Sequence, residues 1–233
     1  MDIAPRPDSG GRGAATRRRL VDAAVRIFGE RGYHAVGTRD LAEAAGANLA
    51  AIPYHFGGKD GLYRAASADI AAVGRAAVAP LLDRVATAQV ETLDRAALAE
   101  LTRALFGALA RGLIGSFDDR HRVAFIVREQ TQPGAAFDVL YDGYIRDVHE
   151  AVTRVTAAAR GLRPRAARAA IEAHALIGTV LVFLTARDTL CRRVGWDGYD
   201  KRRVREIEEA VVDLALRALG LSDCGPTQPS AKR

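Results

Sequence analysis

Apolar residues recur along most of the chain at the spacing of helix faces, not of strands. Leu20, Ala24 and Phe28 form such a stripe, which predicts a first helix capped by Thr16 and ended by Gly32. No stretch of strand length alternates with a period of two, and no repeat of about 20–50 residues is present. The sequence therefore predicts an all-α fold.

Two short helices follow the first one, with a brief glycine-containing turn between them. Thr38 is the expected N-cap of the second helix, which Gly46 ends, and Asn48 is the expected N-cap of the third. The third helix runs to about Tyr54 and stops at a Gly-Gly pair, and Pro53 within it is expected to bend or end it. Helix, turn and helix in this order predict a helix-turn-helix motif.

The rest of the chain is predicted to form longer helices with the same periodicity. They are expected at about residues 59–80, 81–88, 93–114, 118–131, 137–161, 164–191 and 201–219. The domain organisation that follows is a disordered arm at 1–14, a helix-turn-helix domain at 15–59, a helical regulatory and dimerisation domain at 60–221 and a disordered tail at 222–233.

Composition limits the function classes only a little. The chain has 233 residues with 49% hydrophobic and 27% charged residues, typical of a folded protein. Net charge is +6, but 31 of the 34 basic residues are arginine, so the position of the basic groups is more informative than their number. Two cysteines and no signal-peptide pattern favour a cytoplasmic protein. The most apolar run, residues 175–186, is shorter than a bilayer span, so no membrane association is predicted.

The third helix has features suited to a major groove. A helix this short needs support from its neighbours, because isolated helices under about 12–15 residues are marginal in water. Ala50 and Ala51 allow close approach to base edges, and Tyr54, His55 and Lys59 are placed to bind phosphates. As alternatives, Tyr54 is an ordinary core aromatic and His55 an ordinary surface residue; Phe56, by contrast, is expected in the core.

At this point the sequence resembles the TetR family of bacterial repressors, and in particular its CecR-like subgroup. The resemblance rests on "RLVDAAVRIFGERGYHAVGTRDLAEAAGANLAAIPYHFGGKDGLY" and on "FIVREQTQPGAAFDVLYDGYI" and "ALIGTVLVFLTARDTLCRRVGW" downstream. It implies a ligand-responsive repressor that binds a palindromic operator as a dimer and is released by a small molecule. The family's phosphate contacts fall on Thr38, Tyr54, His55 and Lys59, and its base-reading positions fall on Arg39, Asn48, Leu49, Ala50 and Ala51. Where the family often has a phosphate-binding tyrosine, this chain has Pro53.

Between Asn48 and Tyr54 there is no Arg, Lys or Gln for bidentate base reading. We therefore expect specificity to come from Arg39, Asn48 and arginines of the N-terminal arm, which would sense minor-groove width. The arm arginines are Arg12, Arg17, Arg18 and Arg19. The alternative is that Arg17 to Arg19 form only the solvated start of the first helix.

The downstream helices suggest assembly and sensing. The segment "AHALIGTVLVFLTA" is apolar nearly all round, so the last two long helices are predicted to form a homodimer interface; the alternative is that this segment is bundle core. The family resemblance also implies that a four-helix contact holds the two chains together. A small-molecule pocket is predicted in the middle helices, lined by Phe125, Arg128, Glu129, Gln130, Tyr141, Tyr144 and His174. Arg128 and Glu129 have the alternative of pairing with each other or with solvent.

The competing function class is a small enzyme or a helical interaction module without DNA binding. No phosphate-binding glycine loop, nucleophile elbow or metal-ligand spacing occurs in the sequence, so no catalytic residue, cofactor or metal is predicted. The histidines at 34, 121, 149 and 174 are expected to be structural, and Cys191 to be a buried thiol.

Overall fold

The structure is a computed structural model that describes residues 9–115 and 120–222. In these two ranges every regular element is helical, so the predicted all-α fold is confirmed. The described residues form eleven α-helices, in the order α1 (Ser9–Arg31), α2 (Thr38–Ala44), α3 (Ala51–Phe56), α4 (Lys59–Thr87), α5 (Arg95–Leu109), α6 (Arg120–Thr131), α7 (Phe137–Leu140), α8 (Arg146–Arg160), α9 (Ala167–Thr185), α10 (Arg187–Val194) and α11 (Lys201–Ala218). A 3-10 turn at Val90–Thr92 precedes α5, and wide π turns at Ala110–Gly115 and Tyr141–Ile145 follow α5 and α7.

The chain divides into two compact units. The first contains Met1–Val73 and Asp119–Gly143, and the second contains Gly74–Asp118 and Tyr144–Arg233. This division differs from the predicted domain boundary between residues 59 and 60. The first half of α4 and all of α6 belong to the same unit as the helix-turn-helix, because they complete its core.

The first unit has a core of fully buried side chains from α1 to α4, with Leu20, Phe28, Leu41, Ile52 and Leu62 each 0–1% exposed. An ion-pair cluster ties three of its helices together. Asp69 of α4 accepts a hydrogen bond from Arg18 of α1 at 2.6 Å and forms an ion pair with Arg122 of α6 at 2.8 Å. Helix α6 packs along α1 so closely that a Cβ at Gly29 would lie 2.3 Å from the carbonyl oxygen of His121.

The second unit is a helical bundle in which α8 packs on α9 and α5 packs on α11. Arg154 of α8 fixes the end of α4, because its guanidinium donates to the carbonyls of Val85 (2.8 Å) and Ala88 (3.1 Å) and also pairs with Glu91. This contact supplies donors to carbonyls that have no partner within the helix. The second half of α4 is thereby anchored to α8.

Several predicted helix boundaries were wrong. Helix α1 begins at Ser9, so Thr16 is not its cap; its hydroxyl instead donates to the Arg12 carbonyl one turn earlier. Helix α4 continues through Pro80, because burying the side chains around it, among them Val78 and Val85, outweighs one lost backbone hydrogen bond.

The helix predicted over residues 164–191 is in fact two helices. Helix α9 begins at Ala167, after Pro164, and a break at Ala186 (φ −117°, ψ 30°) separates it from α10. Other predicted ends hold. Gly161 closes α8 in the left-handed region, and α11 is followed by Gly220 at φ 68°.

Two of the described helices, α4 and α9, have the length and composition of a membrane span, with mean hydropathies of 1.3 and 1.6. Core helices of soluble proteins meet the same criterion. From the sequence, the apolar run at residues 175–186 was judged too short to span a bilayer. That reasoning does not apply to α9, because its 19 helical residues are enough to cross one. In α9 only 28% of the apolar window is buried within the chain.

Candidate nucleic-acid interface

Helices α2 and α3 and the turn between them form the predicted helix-turn-helix. Helix α2 begins one residue after its cap: Gly37 is the N-cap, and its N–H donates to the Asp40 carboxylate at 2.7 Å. Thr38 is therefore the first helical residue and not the cap. Gly46 takes φ 56° in the turn, a conformation that glycine adopts without strain.

The turn closes on α3 through Asn48. Its side-chain oxygen accepts a hydrogen bond from the Ala50 N–H at 2.9 Å, and its carbonyl accepts from Ala51 at 2.9 Å. Helix α3 begins at Ala51, so its N-cap is Ala50 and not Asn48 as expected, and it runs to Phe56, two residues further than expected. Gly57 ends it at φ 72°, as the sequence predicts.

Pro53 does not end α3, as the sequence had suggested it could, because the helix continues to Phe56. Pro53 is the third residue of the helix, where a backbone N–H has no helical partner to lose. The Leu49 carbonyl instead accepts from Ile52 at 3.3 Å, and Tyr54 donates normally to Ala50 at 3.2 Å. A proline at this position leaves the backbone hydrogen bonds of Tyr54 and Gly57 in place.

The outward face of α3 is open to solvent, and its inward face is fixed. Ile52 is 0% exposed and anchors the helix, whereas Tyr54 is 84% exposed, and Leu49, in the turn before the helix, is 44% exposed. Ala50 is exposed and Ala51 is half-buried. A large aromatic side chain this exposed makes no contribution to a core, so the core interpretation of Tyr54 does not apply.

The remaining predicted contact residues are all at least partly exposed. Arg39 is exposed on α2, Asn48 is exposed in the turn, and Thr38 is half-buried at the start of α2. His55 is half-buried and stands edge-on to Tyr54, with ring centroids 4.8 Å apart. All nine residues predicted to contact DNA, from 38 to 59, belong to the first unit.

Lys59 occupies the first position of α4, beside the end of α3. Its ammonium lies 4.1 Å from the centroid of the Tyr33 ring, and the Tyr33 hydroxyl donates to Asp60. A cation over an aromatic face is held by electrostatic attraction to the ring. Gly61 lets the two helices meet, because a Cβ there would lie 1.8 Å from the carbonyl oxygen of Phe56.

The arginines predicted to belong to a disordered N-terminal arm lie instead on α1, because this helix starts at Ser9. Arg18 binds Asp22 and Asp69, so it serves the fold of the first unit. Arg17 lies with its guanidinium carbon 5.2 Å from the centroid of the Phe56 ring, and Phe56 is only half-buried. The expectation that Phe56 is a core residue was therefore wrong.

The structure does not bring the predicted ligand-lining residues together within one unit. Phe125 and Glu129 are buried in the first unit, where Phe125 stacks on Tyr63 at 4.8 Å and Glu129 accepts from the Tyr63 hydroxyl at 2.6 Å. Arg128 is also in the first unit, with its guanidinium against Gly32. These three side chains pack α6 onto α1 and α4, so they serve the interior of the first unit.

The other predicted ligand-lining residues are spread more widely. Gln130 is exposed on α6, and Tyr141 is 36% exposed and stacks on Phe137. In the second unit Tyr144 is buried, and burial raises its pKa to about 12. His174 is exposed on α9.

His149 and His174 form a pair that helix spacing does not predict, because they lie on two different helices. Their rings stack with centroids 5.2 Å apart. Burial and the neighbouring His174 both lower the pKa of His149. Among the described residues no group of three or more potential ligands is arranged to hold a metal ion. Cys191 is a buried thiol, as expected; Cys224 lies outside the described residues.

Comparison with known proteins agrees with this geometry. Residues 20–66 match the family model described as bacterial regulatory proteins of the tetR family, and residues 97–220 match that of the C-terminal domain of the HTH-type transcriptional dual regulator CecR. The chain is 34% identical over 213 residues to the dual regulator CecR of Shigella flexneri, covering 89% of this chain and 94% of that protein.

Solved structures share the fold at lower identity. A TetR-like transcriptional regulator from Rhodococcus sp. RHA1 aligns with a TM-score of 0.63 at 18% identity, covering 94% of this chain and 99% of that one. AibR, in complex with isovaleryl coenzyme A and operator DNA, aligns with a TM-score of 0.54 at 17% identity, covering 85% and 97%. The family matches are to regulators of transcription and not to enzymes. The chain therefore belongs to the TetR family of bacterial transcriptional regulators and carries a C-terminal domain of the CecR type.

Proposed function

We propose that this regulator is a repressor that binds a palindromic operator as a dimer and is released by a small molecule. The observation that carries the DNA-binding part is the solvent-facing surface of α3, where Tyr54 is 84% exposed while Ile52 fixes the opposite face at 0% exposure. A rigid helix that leaves an aromatic hydroxyl and small side chains in solvent is shaped for a major groove.

The proposed phosphate contacts are Thr38, Tyr54, His55 and Lys59. The proposed base-reading positions are Arg39, Asn48, Leu49, Ala50 and Ala51. Tyr54 is the sharpest of these to test, because a side chain this exposed can be removed at little cost to folding. We expect Tyr54→Ala to leave the melting temperature unchanged and to weaken binding to duplex DNA. The measurement is fluorescence anisotropy with DNA from upstream of its own gene at two salt concentrations. Unchanged affinity at both salt concentrations would remove α3 from the interface.

Homodimerisation through α9 and α11 is the second part of the proposal. Ile171 (65% exposed), Gly178 and Val182 (50% exposed) recur on one face of α9, and a Cβ at Gly178 would meet nothing within 4 Å. An apolar helix face open to solvent in the single chain favours a protein contact. Helix α11 packs beside α9 and leaves Leu214 49% exposed.

A charged substitution on this face of α9 tests whether the face is the dimer interface. Val182→Asp adds a carboxylate that stays hydrated in a single chain but is buried and unpaired in the proposed interface. We expect it to convert dimer to monomer in sedimentation velocity, whereas Thr189→Asp, exposed on α10, does not. A dimer that tolerates Val182→Asp places the interface elsewhere.

The effector is proposed to be a small molecule, in keeping with AibR, which has been seen with isovaleryl coenzyme A as well as operator DNA. For an effector to turn a mostly competent population into a mostly incompetent one, it must favour the released state by about 5.5 kcal/mol. Operator DNA must then weaken effector binding by the same factor. Thermal-shift screening identifies the effector, because a ligand of the native state raises its melting temperature.

The Shigella relative is described as a dual regulator, so activation of transcription at some promoters is a second candidate function. A reporter gene placed behind the DNA upstream of the regulator's own gene distinguishes the two. Repression predicts a rise in expression when this regulator is deleted, and activation predicts a fall.

A further inference from the structure

Helix α1 reaches the end of the recognition helix, where the sequence had suggested a separate arm. A Cβ placed at Gly13 would lie 3.8 Å from Cε1 of His55, so the early turns of α1 pass directly beside α3. One turn further along, the Arg17 guanidinium lies over Phe56, 5.2 Å from the ring centroid. The exposed end of α3 is therefore bordered by a basic side chain that belongs to another helix.

Arg17 differs from Arg18 in what holds it. Arg18 is in ion pairs with Asp22 and Asp69, which neutralise its charge. Among the described residues no carboxylate is paired with Arg17; its partner is an aromatic face, which leaves its N–H donors available to an anion. Arg17 is also exposed, while the Phe56 ring limits the conformations of its long side chain.

Three ring contacts extend from Arg17 across the end of α3. His55 lies edge-on to Phe56 at 6.1 Å and to Tyr54 at 4.8 Å, so Arg17, Phe56, His55 and Tyr54 form one continuous group. The ordering of this group lowers the entropy lost when Arg17 binds a ligand. A guanidinium held in this way suits the fixed geometry of phosphate oxygens better than a flexible ammonium does.

We infer that Arg17 is a phosphate clamp, which binds the DNA backbone beside the phosphates contacted by Tyr54 and His55. It fixes the position of α3 in the groove and reads no base. This inference rests on the proposed DNA binding, and it replaces the role of a minor-groove sensor that the sequence had suggested for Arg17.

The test compares Arg17→Ala with Arg26→Ala as the matched control. Arg26 is exposed on the same helix, and nine residues at about 100° each place it about 180° round from Arg17. Both variants lose one positive charge per chain, so a general effect of net charge changes them equally. Each is titrated against the DNA upstream of its own gene and against an unrelated duplex of equal length, over a series of salt concentrations.

We expect Arg17→Ala to weaken binding to both duplexes by the same factor, roughly 100- to 10,000-fold for two contacts in a dimer, because each is a charge-assisted hydrogen bond. The slope of log affinity against log salt should fall by about 1.8, at 0.9 for each of two lost phosphate contacts. Arg17→Gln, which keeps part of the stem over Phe56, should give the same change of slope. Arg17→Lys should retain most of the slope with reduced affinity.

Two results would overturn the clamp. One is an Arg17→Ala protein that matches Arg26→Ala in affinity and slope. The other is a loss confined to the specific duplex with an unchanged salt slope, which is the signature of base reading. If the wild-type protein itself binds neither duplex, the proposed function fails and not the clamp alone, so the two failures are distinguishable.

Discussion

The buried hydrogen bond between Tyr63 and Glu129 gives the sharpest prediction about stability. Tyr63 of α4 is 3% exposed, and its hydroxyl donates to Oε1 of Glu129, also 3% exposed, at 2.6 Å. The second carboxylate oxygen accepts from the Gly134 N–H at 3.1 Å. Burial, and then the Glu129 hydrogen bond, raises the pKa of Tyr63 well above its ordinary value, so the hydroxyl remains a donor at neutral pH.

Tyr63→Phe removes this donor and leaves a buried carboxylate with a single backbone partner. A hydrogen bond to a charged group contributes about 1.5–3 kcal/mol, so we expect the unfolding free energy of the first unit to fall by about 2 kcal/mol. Removing both partners, in Tyr63→Phe with Glu129→Met, should cost less than the sum of the two single changes, because neither polar group is then left unpaired.

Urea unfolding followed by far-UV circular dichroism is the assay, and the fluorescence of Trp196, the only tryptophan, reports the second unit separately. At a slope of about 1–3 kcal/mol per molar urea, the midpoint should move by roughly 1 M. Tyr199→Phe is the matched control: its hydroxyl donates at 3.1 Å to the neutral carbonyl of Phe183, so a smaller loss of about 1 kcal/mol is expected. Equal losses in the two variants, or strict additivity with Glu129→Met, would refute the reasoning.

Two further predictions concern the joint between α3 and α4 and the pH dependence of stability. Gly61→Ala should destabilise the first unit by about 1–3 kcal/mol and weaken DNA binding, because the new Cβ would lie 1.8 Å from the Phe56 carbonyl oxygen. An unaltered melting temperature and DNA affinity would contradict this prediction. The lowered pKa of His149 means that the unfolded chain binds a proton at this residue more readily than the native chain does. The contribution of neutral His149 to stability is therefore fully present above about pH 6.5, and it is lost as the pH falls below that value. Melting curves between pH 7.5 and about 5.5, above the range where carboxylates titrate, should show a smaller decline in His149→Gln than in the wild type, and parallel declines would disprove the role of His149.

The sequence predicted the elements of the DNA-binding unit because their signals are local. The apolar stripe of α1 and the glycines at 46 and 57 each act within a few residues, and the structure places helices and turns accordingly. Pro53 was misinterpreted for an equally local reason. Its effect depends on whether it lies in the first turn of a helix, and the start of α3 was predicted two residues too early.

The predicted pocket illustrates what the sequence does not contain. Phe125 and Glu129 are an aromatic and an acidic side chain on the same helix, α6, and that pattern suits a binding site as well as it suits a buried contact. Their partner, Tyr63, is more than 60 residues away in the chain, and only the fold brings it to them. The stacked pair of His149 and His174 was missed for the same reason, because spacing along one helix says nothing about contacts between two.

The most direct test of the account is selection of operator sequences from random duplexes by the wild-type protein, followed by measurement of the mass of the purified complex. Two copies of the surface at residues 38–59 acting together predict an inverted repeat, with half-site centres about 34–36 Å apart or a multiple of that distance, and an even number of chains on each duplex. Enrichment of no sequence, or a complex that contains one chain, would contradict it.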